Sequence, residues 1–317
     1  MSRYIALRLA KGLLTFFIAV TITFLIVRLM PGDPTTALIS DSLSPEDALV
    51  LKESFGLDKP LYQQYFLFIR NLLKGDLGYS FFYKDSVASI IGNKLWWTLL
   101  LMGSSLFMTL LIGIPLGVIS AKHQGKLLDQ AINVAVVIGV SIFVPLLAFL
   151  LLYSFSFKLM WTPIGGAYSP GIDPSKMFGS VVSHMILPCA TLVITYLAST
   201  VLYMRNSMLD VLKEDYVRTA KAKGVNDRKV TWSHALRNAL IPTVTVTGLM
   251  IGKMVAGAVL TETVFSWPGV GTMIYDAVQK QDFPLLQGAF LVLAASVVVM
   301  TLITDLVVAW LDPRIKL

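Results

Sequence analysis

Six stretches of the chain stay apolar long enough to cross a bilayer. A helix rising ~1.5 Å per residue needs about 20 residues to span ~30 Å of hydrocarbon. Runs of that kind fall at Leu9 to Met30, Trp96 to Ser120, Ala131 to Leu152, Met185 to Tyr203, Ile241 to Leu260 and Leu285 to Trp310. The pattern predicts an all-α integral membrane protein with about six transmembrane helices. Pro115, Pro145 and Pro188 lie within or at the ends of these runs. Neighbouring helices can re-satisfy the carbonyls a proline frees, so kinks are expected there more than breaks.

Two polar stretches between the runs are too long to be turns. The first, from Pro31 to Lys94, carries a helix-start pattern at Ser44-Pro45-Glu46-Asp47, with a capping hydroxyl, proline at the first helical position and acids in the first turn. Gly56 is its stop. A second helix is expected from Pro60 to Lys74, where Leu61, Tyr65, Phe68, Ile69 and Leu72 recur at helical spacing. The other polar stretch, Leu212 to Pro242, reads as a basic helix over Lys213 to Lys223, a stop at Gly224, and a second helix capped by Asp227 that runs through Ala235, Leu236 and Ala239 into the fifth span. Two short helices across the base of a bundle form a docking device able to pass force from a partner. On charge alone the same loop also reads as merely solvated.

Composition agrees with burial in lipid: of 317 residues 56% are hydrophobic and 14% charged, where a soluble domain carries about a quarter charged. The net charge of +7 does not indicate nucleic-acid binding, because the basic residues are divided by apolar runs instead of sharing one face. Their distribution sets orientation instead. Arg205, Lys213, Arg218, Lys221, Lys223, Arg228, Lys229 and Arg237 cluster in one loop, which places it, the Lys122 to Lys126 turn and both termini in the cytoplasm. Loops with Lys158 and Lys280 then face outward, and Arg28 near the outer end of the first helix can snorkel to the headgroups. The first run lacks a small-x-small cleavage site and reads as an uncleaved helix. The single cysteine, Cys189, supports neither a disulfide nor a cysteine-rich metal site within the chain.

Catalytic chemistry is missing from the pattern. A phosphate-binding loop would end in Gly-Lys-Ser or Gly-Lys-Thr; the nearest string, Gly248 to Met254, is one residue short and lies inside an apolar run, where Gly248 and Gly252 have the spacing of close helix packing. His123, His184 and His234 belong to different loops on two sides of the membrane and cannot share a metal. Ionisable groups inside spans are functional candidates by default, which singles out Lys253 in the fifth span and Asp305 in the sixth as pathway-lining residues. A direct Lys253–Asp305 bridge would need an offset between their helices.

The string Tyr216-Val217-Arg218-Thr219-Ala220-Lys221-Ala222-Lys223-Gly224, followed by His234-Ala235-Leu236-Arg237-Asn238-Ala239-Leu240-Ile241-Pro242, resembles the ATPase-coupling loop of dipeptide, oligopeptide and nickel importer permeases. Further matches in the same order are Arg28 to Pro34 (including Pro31, Gly32, Asp33 and Pro34), Gly56 to Leu61, Gly75 to Gly78, Trp267-Pro268-Gly269-Val270-Gly271 and Asp312 to Ile315. Arg218-Thr219-Ala220 replaces the general Glu-Ala-Ala of such loops, as is usual for the peptide branch.

The resemblance implies a type I ABC importer permease fold and divides the chain into an N-terminal tail and first helix (1–30), an extracytoplasmic helical segment (31–94) and a permease domain (95–317) with its coupling loop at 204–240. It implies a multi-pass protein of a bacterial or archaeal plasma membrane, paired with a second homologous permease, two nucleotide-binding ATPase subunits and an extracytoplasmic solute-binding protein. ATP and magnesium belong to those ATPases, and the chain itself is expected to bind no cofactor or metal and to be no enzyme. Asp215, Tyr216, Arg218, Thr219, Ala220, Lys223, Gly224, His234, Arg237 and Asn238 become the expected docking residues. Peptides are the expected cargo; nickel or a metal chelate, or glutathione, is the alternative within the family. An ion-coupled secondary transporter using Lys253 and Asp305 is the competing class, and no inverted repeats with broken helices support it.

Overall fold

A computed structural model describes residues 2–29, 59–80 and 82–311, with the side chains of residues 2–5, 249, 253, 310 and 311 outside the description. The helix expected from Ser44 falls outside the described residues. In chain order the elements are α1 (Ser2–Leu29), α2 (Leu61–Leu73), a two-stranded antiparallel ladder of β1 (Tyr79–Ser80) and β2 (Asp85–Ser86), α3 (Val87–Lys122), α4 (Leu127–Val140) and α5 (Val144–Leu151). Then follow α6 (Met177–Val211), α7 (Asp215–Ala222), α8 (Asp227–Lys229), α9 (Leu236–Val264), α10 (Val270–Gln279) and α11 (Phe283–Leu311). Among the described residues five helices are long and apolar enough to cross a membrane: Ala6–Leu29, Val87–Lys122, Pro174–Val211, Asp227–Gly252 and Phe283–Ala309.

The third expected span is the exception. α4 and the stretch Val144–Lys158 meet at 101°, so a broken pair stands in place of one kinked helix; counted as one span it brings the total to six. Pro145 sits in the first turn of α5. Its ring excludes a helical carbonyl at Ser141, four residues earlier, and the Ser141 hydroxyl already donates to the Val137 carbonyl at 3.0 Å. Pro115, Pro188 and Pro242 lie inside continuous helices.

Several helices run beyond their apolar windows, because hydropathy does not register polar helical turns. α3 begins at Val87, nine residues before Trp96, and Ser86 Oγ caps it by accepting the Ser89 N–H at 3.3 Å. α6 extends about two turns past each end of the expected Met185 to Tyr203.

The chain forms two compact units. One comprises residues 1–10, 99–267 and 299–317. Its axis is α6, half of whose apolar window is buried, against 6% for that of α11. Val118 and Ala121 of α3, Met204 and Met208 of α6, and Ala235 and Ala239 form one core cluster; Val136, Ala198 and Val201 form another between α4 and α6. Contact is closest at glycines: a Cβ on Gly117 would lie 2.6 Å from that of Met204, and one on Gly248 only 2.1 Å from Thr304 Cγ2. The latter agrees with the close packing that the spacing of Gly248 predicts.

The other unit comprises residues 11–98 and 268–298. Here α2 forms where Pro60 to Lys74 predicts a helix and packs Tyr65 and Phe68 on Phe24, with ring centroids 5.2 and 5.5 Å apart. Tyr65 also hydrogen-bonds Thr21 at 2.7 Å. Arg28 places its guanidinium 5.5 Å from the centre of the Phe24 ring, a cation–π contact in the same aromatic group.

Candidate functional site

The basic loop after α6 folds as two caps and a turn. α7 covers Asp215–Ala222, and Gly224, at φ +78°, takes the left-handed conformation that ends it. The Gly224 N–H donates to the Lys221 carbonyl at 2.9 Å and the Val225 N–H to that of Ala220 at 3.2 Å, the paired bonds of a Schellman motif. The next cap is Asn226, whose side chain accepts the Arg228 N–H at 2.8 Å; it replaces the expected cap, Asp227. Both residue types cap well, and Asp227, one position inside, instead pairs with Lys221 at 3.6 Å. A π-helical stretch, Val230–Ala235, then leads without a break into α9.

One side chain roots α7. Val217 is 1% exposed, while Asp215, Tyr216, Arg218, Thr219, Lys223, His234, Arg237 and Asn238 are exposed or half-buried and Ala220 is half-buried. Tyr216 and Asn238 meet directly, the amide donating to the phenol oxygen at 2.7 Å. Arg218 reaches Asp215 at 3.7 Å, both open to solvent, an arrangement worth little energetically. Trp232, absent from the sequence-based set, presents 40% of its surface within the same loop. An exposed tryptophan within a basic stretch was the available signal.

Beneath this surface lies a buried ion pair that sequence reasoning also missed. Asp129, 3% exposed, accepts from Arg205 Nε at 2.7 Å and Nη2 at 2.8 Å, from Ser120 Oγ at 2.6 Å, from the Gly125 N–H at 2.9 Å and from Asn133 Nδ2 at 2.9 Å. This ties the ends of α3, α4 and α6 together. Ser207 Oγ adds a bond to the Ala239 carbonyl at 2.8 Å, fixing α6 to α9.

Of the two candidate pathway residues, one has a described side chain. Asp305 pairs with Arg8 at 3.0 Å, so the acid in α11 is compensated by α1. Lys253 lies in α9 with its side chain outside the description.

Of the outer motif, Pro31, Gly32, Asp33 and Pro34 lie outside the described residues. Trp267 is fully buried, and Pro268, Gly269 and Gly271 lead into α10, whose first N–H, on Val270, donates to Thr98 Oγ1 at 2.8 Å. Nearby in sequence, Asp282 caps α11 by accepting the Leu285 N–H at 3.1 Å, and it also accepts from Ser80 Oγ at 2.5 Å. Burial pushes its carboxyl up, against hydrogen bonds from Ser80 and the backbone of Leu285 and Phe82. Tyr83 donates to Asp276 at 3.0 Å, and burial with that carboxylate pushes its phenol up to about 12.

Two of the histidines have structural partners. His184 is buried and hydrogen-bonds the Ser180 carbonyl through Nδ1 at 2.7 Å, and His123 does the same to Ile119 at 2.9 Å. Among the described residues no group of three His, Cys, Asp or Glu side chains is arranged to hold a metal.

Known proteins resemble the chain along its length. The profile of the family described as "Binding-protein-dependent transport system inner membrane component" matches residues 113–317, and that of its N-terminal region matches residues 1–102. The chain is 37% identical to the di/tripeptide transport system permease protein DppB of Pseudomonas aeruginosa, over 100% of this chain and 99% of that protein. It is 36% identical to the oligopeptide transport system permease protein AppB of Bacillus subtilis, over 100% of both chains. Identity to the dipeptide transport system permease protein DppB of Escherichia coli is also 36%, over 100% of this chain and 99% of the other. A crystal structure of an amino acid ABC transporter with histidines superposes with a TM-score of 0.50 at 14% identity, covering 72% of this chain and 94% of the other, a likeness of fold. An apolar bundle carrying an exposed two-helix basic loop, matched along its whole length, thus belongs to the binding-protein-dependent transport system inner membrane component family.

Proposed function

We propose that the chain is a permease subunit of an ATP-driven peptide importer. The carrying observation is the loop from α7 to α9: a short helix rooted by Val217, closed by Gly224, and continuous through α8 with a membrane-spanning helix. Such a loop converts a push on an exposed surface into movement of α9. Relatives named for di/tripeptide, dipeptide and oligopeptide transport support peptides as the cargo.

In this reading residues 204–240 receive two ATPase subunits on the cytoplasmic side, the ATP and magnesium stay on those subunits, and a second homologous permease completes the pathway. Residues 31–94 form the extracytoplasmic segment between the first helix (1–30) and the permease domain (95–317), on the side where a solute-binding protein delivers peptide. ATP-driven closure of the ATPases pushes α7, the cavity turns outward, and hydrolysis resets it, an alternating-access cycle in which this chain supplies a two-state path and no bond-breaking group. Lys253 lines that path in the same reading. The test is mass spectrometry of everything retained when the tagged protein is purified from its native membrane in mild detergent with a non-hydrolysable ATP analogue. Stoichiometric ATPase subunits and a second permease are expected. A homogeneous preparation without an ATPase that still transports in vesicles would overturn the proposal.

A further inference from the structure

α6 carries a polar stripe that its packing leaves uncovered. Thr195, Ser199, Tyr203, Asn206 and Asp210 follow one another at steps of four, four, three and four residues, and so share one face of the helix. Thr195 and Ser199 are half-buried, while Tyr203, Asn206 and Asp210 are exposed. Where that face meets α9, the side chains of Tyr203, Asn206, Ser207, Asp210, Pro242 and Val246 border a cleft of about 270 Å³. The cleft opens at the end of the bundle that carries the basic loop.

Lipid is a poor neighbour for this face. Thr195, Ser199 and Tyr203 fall within the fourth apolar run, where polar groups face a bundle interior or water, and Asn206 and Asp210 lie just past its end, where the cleft meets the cytoplasm. Elsewhere on α6 a lipid-compatible surface is made of Val182, Ile186 and Ile194, which are exposed. α9 contributes Pro242, Thr245 and Val246 as exposed or half-buried positions. Position 253, eleven residues after Pro242, shares their helical register.

The basic loop makes the surroundings strongly cationic, with Lys213, Arg218, Lys221 and Lys223 following α6 closely. Asp210 is the anionic group of the cleft, placed beside an amide donor and acceptor, a phenol and apolar surface. That combination suits a small zwitterion entering by its ammonium end. A carboxylate offers charge-assisted hydrogen bonds to an ammonium, Asn206 can pair with a peptide unit, and Val246 and Pro242 can cover an aliphatic side chain.

We propose that this cleft is the inner mouth of the translocation path and holds a peptide by its free α-ammonium on Asp210 as it leaves for the cytoplasm. The inference rests on the peptide-importer reading and adds to it a residue-level station and a chemical preference. It is distinct from the docking surface, because the cleft lies on α6 and α9 and not on α7.

The experiment uses the complete transporter in inverted membrane vesicles, with Cys189→Ser and Asn206→Cys. A charged, membrane-impermeant maleimide reports access to position 206, and a millimolar dipeptide added directly to the cytoplasmic face avoids any selection by a binding protein. Labelling is expected without nucleotide. The dipeptide is expected to slow it, the N-acetylated dipeptide is not, and Asp210→Asn is expected to weaken protection by about tenfold in dipeptide concentration, as loss of a charge-assisted hydrogen bond would. Asp210→Glu, which keeps the carboxylate, should retain protection and separates loss of charge from misfolding. A position 206 unreactive in every nucleotide state would overturn the proposal, since the face is then covered by a second membrane subunit or by lipid. Equal protection by both peptides, or protection indifferent to Asp210→Asn, would overturn the ammonium assignment. ATPase co-purification and peptide uptake are measured on the unmodified transporter in intact cells; failure of those two sinks the importer reading, whereas failure of protection in the Asn206→Cys vesicles with those two intact sinks this inference alone.

Discussion

At the scale of single residues, the decisive group is one the hydrophobic pattern conceals. Asp129 sits in the first turn of an apolar helix, and its partner Arg205 lies 76 residues away. By sequence alone Arg205 is one of the basic residues that set orientation, and only an acid two residues before an apolar run hints at its task. Because the carboxylate accepts five hydrogen bonds while nearly fully buried, removing one partner strands the other charge. Asp129→Asn is expected to destabilise the purified protein by about 3–5 kcal/mol, whereas Asp129→Leu with Arg205→Met, which removes both charges, should cost clearly less. Thermal unfolding in detergent measures both, and the reverse order would show that the pair is not desolvated. Tyr83 offers a pH-dependent counterpart. Its phenol is held up to about 12 by burial and Asp276, so the stability it contributes is complete below about 10, the ordinary tyrosine value, and is lost as pH rises through about 12. Ultraviolet titration of Tyr83→Phe should lack a late-ionising tyrosine that the unmodified protein shows.

At the scale of elements, agreement between sequence and structure follows how local each signal is. Gly224 ends α7 because a left-handed residue and two backbone bonds lie within one turn, all of it written in neighbouring residues. The cap after it differs by one position, Asn226 for Asp227, because two good capping residues are adjacent and only the backbone geometry chooses. The break before Pro145 is indistinguishable from a kink in the sequence, since a proline at the start of a helix and one inside it look alike when the whole run is apolar. The ladder of β1 and β2 has two residues per strand, too few for any alternation to register. The Gly224 geometry makes a discriminating prediction. A Cβ at this position would meet no atom within 4 Å, so space is not limiting and φ +78° is. Gly224→Asn, which tolerates that conformation, should keep ATPase co-purification and uptake near wild type. Gly224→Val should lower uptake severalfold while the bundle stays folded, at a backbone cost of about 1–2 kcal/mol or more for a β-branched residue. Uptake and ATPase retention, measured together, decide it; equal behaviour of the two variants would remove α7 from the coupling role.

At the scale of the whole molecule, span number and the basic loop are legible because lipid and charge act on long segments, while the pairing of helices depends on side chains far apart in sequence. Asp305 illustrates the difference: its position in a span is evident, but its Arg8 partner requires the fold. Orientation rests on the same long-range charge asymmetry and supports a direct prediction. Eight Lys and Arg residues lie between 205 and 237, whereas the loops around 158–176 and 280 carry Lys158, Lys176 and Lys280 alone. Positive residues resist translocation, so the loop bearing α7 belongs in the cytoplasm and the other two outside. In a Cys189→Ser background, Lys176→Cys and Lys280→Cys should react with an impermeant maleimide in intact spheroplasts, and Lys221→Cys only after permeabilisation. Lys176 and Lys221 are both exposed, so their difference would report sidedness instead of burial. Labelling of Lys221→Cys in intact spheroplasts would put α7 out of reach of any cytoplasmic ATPase, and the coupling surface and the inner mouth proposed on α6 and α9 would fail together.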